Sequence, residues 1–166
     1  MSEKSVAIIG GAGFLGTMLA RYFKNKDLDF SIFDINTSGA TSPPIIKADV
    51  EVQQSLEVIS GSSTIINLAA VHRDDIRPLS RYDDVNIQGA VNVCVAARKH
   101  GINKIIFTSS VAIYGFAPAD TDESGVPNYF NDYGRTKYLA EQVYKEWQAE
   151  DPEYRTLVIV RPTVIF

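Results

Sequence analysis

A short apolar run, Val6-Ala7-Ile8-Ile9, breaks abruptly into Gly10-Gly11-Ala12-Gly13-Phe14-Leu15-Gly16, and residues 14–26 then carry apolar side chains at helical spacing. Strand, tight turn and helix follow one another directly. The glycines fit G-x-G-x-x-G at 11, 13 and 16 and G-x-x-G-x-x-G at 10, 13 and 16. Either spacing puts glycine where backbone must pass close to another group. The helix behind the turn offers unpaired N–H groups and a partial positive charge, which suits a pyrophosphate. A tight strand–helix connection that binds nothing is the alternative. Asp34 closes the next predicted strand, about 20 residues on, where a carboxylate can accept hydrogen bonds from ribose hydroxyls. It would repel a 2′-phosphate, and no Arg follows in Ile35-Asn36-Thr37-Ser38, so NAD is expected over NADP.

The apolar style of the first strand recurs in Phe30-Ser31-Ile32-Phe33, Ile45-Ile46, Thr64-Ile65-Ile66-Asn67-Leu68, Lys104-Ile105-Ile106-Phe107 and Leu157-Val158-Ile159-Val160. Continuous apolar runs of this length are the pattern of strands buried in a parallel sheet. Residues 14–26, 52–60, 84–99 and 136–150 have helical spacing. Alternation of strand and helix predicts an α/β fold, a Rossmann-type doubly wound parallel sheet with helices on both faces. Residues 115–131 form a long polar loop of the kind that serves a site.

A second constellation carries chemistry. Tyr133-Gly-Arg-Thr-Lys137 places a phenol and an ammonium four residues apart, hence on one face of a helix, and Thr108-Ser109-Ser110 ends a predicted strand upstream. A cation near a phenol of ordinary pKa about 10 favours the phenolate and brings it toward the working range of a base. Proton transfer beside a dinucleotide cradle means redox chemistry on a hydroxyl.

With these motifs assembled, the chain resembles the extended short-chain dehydrogenases/reductases, the group of NAD-dependent nucleotide-sugar epimerases and dehydratases. The resemblance runs through the Gly-rich turn, Asp49-Val50, Asn67-Leu68-Ala69-Ala70, Asn86-x-x-Gly89, residues 107–115, Tyr133-x-x-x-Lys137 and Arg161-Pro162. It implies that Gly10, Gly13 and Gly16 line the pyrophosphate with the amides of Phe14 and Leu15. It further implies that Asp34 holds the adenosine ribose, Asp49 and Val50 flank the adenine, Ala69 runs along the cofactor and Lys137 holds the nicotinamide ribose. Tyr133 and Ser110 would then meet the substrate hydroxyl. The expected activity is epimerisation of a nucleotide sugar through a transient keto intermediate, with a sugar dehydrogenase/reductase or a non-catalytic dinucleotide-binding module as alternatives.

The departures are informative. The family often has His where Asn67 precedes Leu-Ala-Ala, which touches a minor contact and not the fold. Its dehydratase branch has Thr-Asp-Glu before the aromatic-Gly pair; Ser110-Val111-Ala112 stands there instead, and Val111 and Ala112 transfer no protons. Thr121-Asp122-Glu123 comes too late to substitute and reads as loop surface. In His72-Arg73-Asp74-Asp75-Ile76-Arg77-Pro78, Arg73 or Arg77 either reaches a phosphate or belongs to a self-compensated loop. His72 lacks a metal-ligand partner, and no metal is expected. His100-Gly101 marks a helix end.

The remaining expectations come from the whole chain. Its 166 residues, 45% hydrophobic and 22% charged, suit one domain, here an NAD-binding Rossmann domain over residues 1–166. A net charge of −4 without a basic tract makes nucleic acid and anionic membranes unsuitable partners. The single cysteine, Cys94, reads as a buried structural thiol. Met1–Lys4 shows no signal-peptide pattern and no apolar stretch reaches the roughly 18 residues of a span, so the cytoplasm is expected. Residues 161–166 end in apolar side chains with no polar tail, which reads as the first part of something longer, and the resemblance implies that a carboxyl-terminal part supplies most of the substrate-binding residues. The series Leu139, Val143, Trp147 and Ala90, Val91, Cys94, Ala97 cover the sheet, and the resemblance implies that their helices also pair across a homodimer.

Overall fold

The computed structural model describes residues 5–39, 41–73 and 75–163. Expectations resting on Met1–Lys4, Asp74 and residues 164–166 lie outside them. The chain runs β1 (Val6–Ile9), α1 (Phe14–Asn25), β2 (Phe30–Asp34), β3 (Ile45–Lys47), a 3₁₀ helix (Gln53–Ile59) and β4 (Thr64–Asn67). Next come α2 (Ser80–Tyr82), a π-helical stretch (Asp83–Gln88) and α3 (Gly89–His100), then β5 (Lys104–Thr108), a 3₁₀ turn (Val111–Tyr114), α4 (Asp132–Ala149) and β6 (Thr156–Val160).

All six strands are parallel in the order β3-β2-β1-β4-β5-β6, with Ile9 opposite Phe33 on one side and Asn67 on the other. Strand order reverses between β1 and β4. In an open α/β sheet the crevice beyond the carboxyl ends of the strands at that reversal is where ligands bind. Alternate residues of these strands feed two cores. One joins Ala7, Ile9, Ile65, Ile105 and Phe107 to Val93, Cys94 and Ala97 of α3 and to Ala140, Tyr144 and Trp147 of α4. On the other face Ile8, Phe30 and Ile32 pack with Ala20 of α1. That face is less covered beyond α1, where Val158 and Val160 of β6 stay exposed.

Three helices depart from their expected form. Of the helix expected over 52–60, Gln53–Ile59 forms as a 3₁₀ helix instead of an α-helix, because Ser55 is tied back to both the amide and the carbonyl of Asp49 and tightens the entry. The helix expected from residue 84 starts at Ser80 and passes through the π-helical stretch. The helix expected from residue 136 starts at Asp132, capped by Asn131, whose side-chain oxygen accepts from the Gly134 amide at 2.8 Å. The earlier start brings Tyr133 onto the helix. α3 ends at Gly101 in the left-handed region (φ 66°), with the Ile102 amide donating to Ala97, as His100-Gly101 predicts.

Candidate active site

At the strand-order reversal lies a cleft of about 1020 Å³, at the upper end of the range for cofactor sites. Every residue assigned to cofactor or chemistry from sequence lines it: Gly10, Gly13, Phe14, Leu15, Gly16, Asp34, Asp49, Val50, Ala69, Ser110, Tyr133 and Lys137. They come from six segments of the chain, brought together because each follows the carboxyl end of a strand or opens a helix there.

The glycine turn is built for close approach. Gly10 has φ +76°, and a Cβ on it would lie 2.6 Å from the Ala69 amide nitrogen, so β1–α1 and β4 can meet only without a side chain there. α1 begins behind Gly13 with no side-chain cap and no acidic residue in its first turn. Its amino-terminal amides are therefore available to an anion. Asp34 holds the turn in place: one carboxylate oxygen accepts from the Ala12 amide and the other from the Asn36 amide, each at 2.9 Å. The Asp49 carboxylate likewise accepts from the Glu51 amide at 2.9 Å. This uncapped helix, glycine turn and pair of carboxylates fit the pyrophosphate, ribose and adenine of a dinucleotide.

The catalytic candidates line the same cleft. Ser110 Oγ accepts from the Ala112 amide at 3.1 Å and lies within reach of Tyr133. Burial raises the Tyr133 phenol above its ordinary pKa, and the Ser110 hydrogen bond opposes that rise. Lys137 is almost wholly buried, with Nζ 4.3 Å from the centre of the Phe107 ring. Burial pushes it down to about 7, against the pull of Glu141. The sequence reading, an ammonium that draws the phenol toward phenolate, thus meets the opposite direction at both groups. Desolvation disfavours each charged form more than their neighbours restore it.

Several polar residues hold this site through contacts that sequence analysis did not assign. Asn86, on the π-helical stretch, brackets Val71 by accepting from its amide at 2.8 Å and donating to its carbonyl at 2.9 Å, and also donates to Thr136 on α4. Asn67 donates to the Tyr144 hydroxyl at 2.7 Å and accepts from the Ala69 amide, linking α4 to the exit of β4. Fully buried Glu141 receives two hydrogen bonds from Arg161, at 2.9 and 2.7 Å. A polar residue on the buried face of a predicted helix is the signal that points to Asn86 and Glu141.

Outside the set, Arg73 closes on Asp75 at 2.6 Å and Arg77 donates to the Ile76 carbonyl, as in a self-compensated loop, while His72 lines the cleft. Thr121 and Asp122 are spent on exposed turn hydrogen bonds. Cys94 is buried, its thiol pushed up to about 12 by burial. Trp147, Ala90, Cys94 and Ala97 face the core, leaving Val91 and Leu139 half-buried on the outer side of α3 and α4. Among the described residues no group of three or more His, Cys, Asp or Glu is placed to hold a metal, and no helix is long and apolar enough to cross a membrane.

The chain is similar to proteins of known activity. The chain is 44% identical over 165 residues to the N-acetyl-alpha-D-glucosaminyl-diphospho-ditrans,octacis-undecaprenol 4-epimerase of Escherichia coli O157:H7, covering 98% of this chain and 49% of that protein. It is 29% identical over 160 residues to a UDP-glucose 4-epimerase of Rhizobium leguminosarum bv. trifolii, covering 89% and 48%. The chain therefore spans about half the length of the curated relatives it matches. The crystal structure of UDP-glucose 4-epimerase from Brucella ovis in complex with NAD superimposes with a TM-score of 0.84 at 25% identity, over 95% of this chain and 51% of that one. Residues 6–166 match the NAD dependent epimerase/dehydratase family, and with the parallel sheet, the glycine turn and the Tyr133–Lys137 helix in one cleft, the chain belongs to that family.

Proposed function

We propose that this chain is the NAD-holding part of an epimerase that inverts a hydroxyl-bearing carbon, C4 in the named relatives, of a sugar linked to a diphosphate. The observation that carries it is the convergence of Ser110, Tyr133 and Lys137 with the glycine turn and Asp34 on one cleft. Gly10, Gly13, Gly16 and the amides of Phe14 and Leu15 would receive the pyrophosphate, Asp34 the adenosine ribose, Asp49 and Val50 the adenine, and Lys137 the nicotinamide ribose, with Ala69 alongside. When bound, NAD supplies a hydride acceptor that becomes the donor again, and a positive charge.

That charge matters to Tyr133. Burial raises its phenol above the ordinary pKa, so a cation close by is needed to favour the phenolate that takes the sugar O–H proton. Lys137, on the same helix face, joins in whenever it carries its proton. Ser110 orients the sugar oxygen. The resulting keto-sugar must turn before Tyr133 returns the proton to the same oxygen, so no net oxidation occurs and no NADH accumulates.

Tyr133→Phe in the intact protein is expected to retain NAD and to lower turnover by about 10²-fold or more, the contribution of a positioned acid–base group. Unchanged turnover removes Tyr133 from this role, and NADH that accumulates with substrate selects a net dehydrogenase instead. A nucleotide sugar is the first substrate class. The polyprenyl-diphosphate sugar named in the 44% identical relative favours a second. Assaying UDP-linked and undecaprenyl-diphosphate-linked N-acetylglucosamine side by side decides between them. Homodimerisation through α3 and α4 and a cytoplasmic location belong to the same reading and are checked by sedimentation and by cell fractionation.

A further inference from the structure

The cleft has a closure that motif reasoning does not touch. Glu51, two residues past Asp49, and Arg81, on α2, both line it. They are 30 residues apart in sequence and reach each other through two hydrogen bonds, one from Arg81 Nη2 to Glu51 Oε2 at 2.7 Å and one from Nη1 to Oε1. Side-on pairing of a guanidinium with a carboxylate fixes both distance and plane. Both ends are firmly based. The Asp49–Glu51 turn is held by the Asp49 carboxylate and by Ser55. α2 continues into the helical stretch where Asp83 accepts two hydrogen bonds from Arg135 of α4, at 2.9 and 2.8 Å. The pair is only partly exposed, with 26% of the Glu51 and 41% of the Arg81 side chain accessible.

We propose that the Glu51–Arg81 ion pair is a strap across the adenine end of the cleft, joining the β3–β4 connection to α2 and slowing release of the dinucleotide. The inference rests on the assignment of Asp49 and Val50 to the adenine. Both residues are positioning residues: they hold the two walls together and take no part in the chemistry. Because the strap is an ion pair near solvent, its effect weakens as salt rises.

The test is the rate of NAD release from the intact protein, followed by chasing bound NADH fluorescence with excess NAD, in wild type, Glu51→Gln, Arg81→Gln and the exchanged pair Glu51→Arg/Arg81→Glu. Each single substitution is expected to speed release about fivefold at low ionic strength, the size of a partly exposed pair, and the difference is expected to shrink at high salt. The exchanged pair is expected to restore slow release. Affinity for AMP should fall in the single variants while affinity for nicotinamide mononucleotide holds, which general loosening of the fold would not produce. Release unchanged in the single variants, equal losses for AMP and the mononucleotide, or no recovery in the exchanged pair overturns the strap alone. A wild-type protein that binds no NAD overturns the cofactor assignment and the strap with it.

Discussion

Replacing Arg161 with Met isolates a charge the fold has buried. The Glu141 carboxylate has no exposed area and accepts from Arg161 Nε at 2.9 Å and Nη2 at 2.7 Å; Lys145, 46% exposed, stands 3.7 Å off. Burial alone would push this carboxyl up, but Arg161 with Ser109 and Lys145 outweighs it, and the group ends below the ordinary carboxylate range. A depressed carboxylate stabilises the fold above its unfolded pKa, about 4.3, and that contribution is lost only as pH falls through the lower folded value. Arg161→Met leaves burial opposed mainly by a solvated lysine, so the folded pKa rises above the unfolded one and the sign reverses. The cost is then full at neutral and higher pH and fades as acid protonates Glu141. Breaking a buried pair by removing one partner costs about 3–5 kcal/mol, a large part of the roughly 5–15 kcal/mol that holds a domain together. Arg161 also donates to Tyr114 Oη and the Glu123 carbonyl. Those bonds add a share of about 1–2 kcal/mol that does not depend on pH. Urea unfolding followed by the single tryptophan, fully buried Trp147, at several values from about pH 5 to 8 reads both parts. A total loss under about 1 kcal/mol at neutral pH, or a loss constant over that range, refutes the reasoning. Glu141→Leu with Arg161→Met is expected to recover most of the stability, since a buried pair exchanged whole for apolar groups is close to neutral.

Two other substitutions follow from the same structure. Lys137 is pushed by burial from 10.5 to about 7, so between those values the unfolded chain binds a proton that the folded one does not, and stability climbs with pH. Lys137→Met is expected to abolish that climb, seen as urea midpoints that no longer rise between about pH 7 and 10. A Cβ on Gly16 would lie 2.4 Å from Gly11 Cα, against backbone that cannot step aside, so Gly16→Ala is expected to cost about 1–3 kcal/mol and to weaken NAD binding together; thermal unfolding with and without NAD measures both.

How far the sequence carries depends on the distance over which each pattern acts. All six strands are legible as apolar runs, because in the strands covered on two faces there is little reason for polar alternation and β6 stays apolar even where Val158 and Val160 are exposed. The helix starts at Ser80 and Asp132 are not, since their first turns are polar and their apolar spacing begins only a turn later. Over seven residues, spacings of 3.0 and 3.6 cannot be separated, so Gln53–Ile59 reads as α although its side-chain bonds wind it as 3₁₀. In the cleft, the glycines, Asp34, Tyr133 and Lys137 are visible because each belongs to a pattern a few residues long. Arg161 with Glu141, Arg81 with Glu51 and Asn86 with Val71 are 20, 30 and 15 residues apart, and nothing local ties them. Direction of charge is harder still. That Tyr133 and Lys137 share a face follows from helical spacing alone. Whether the pair favours phenolate and ammonium or phenol and amine depends on how much water the rest of the fold removes. Here α4 lies on the sheet with Lys137 against Phe107, and burial shifts both groups toward their neutral forms. A base that rests as a neutral phenol becomes effective when a positive charge enters the cleft, so in the proposed reaction cofactor binding and proton abstraction are coupled through Tyr133.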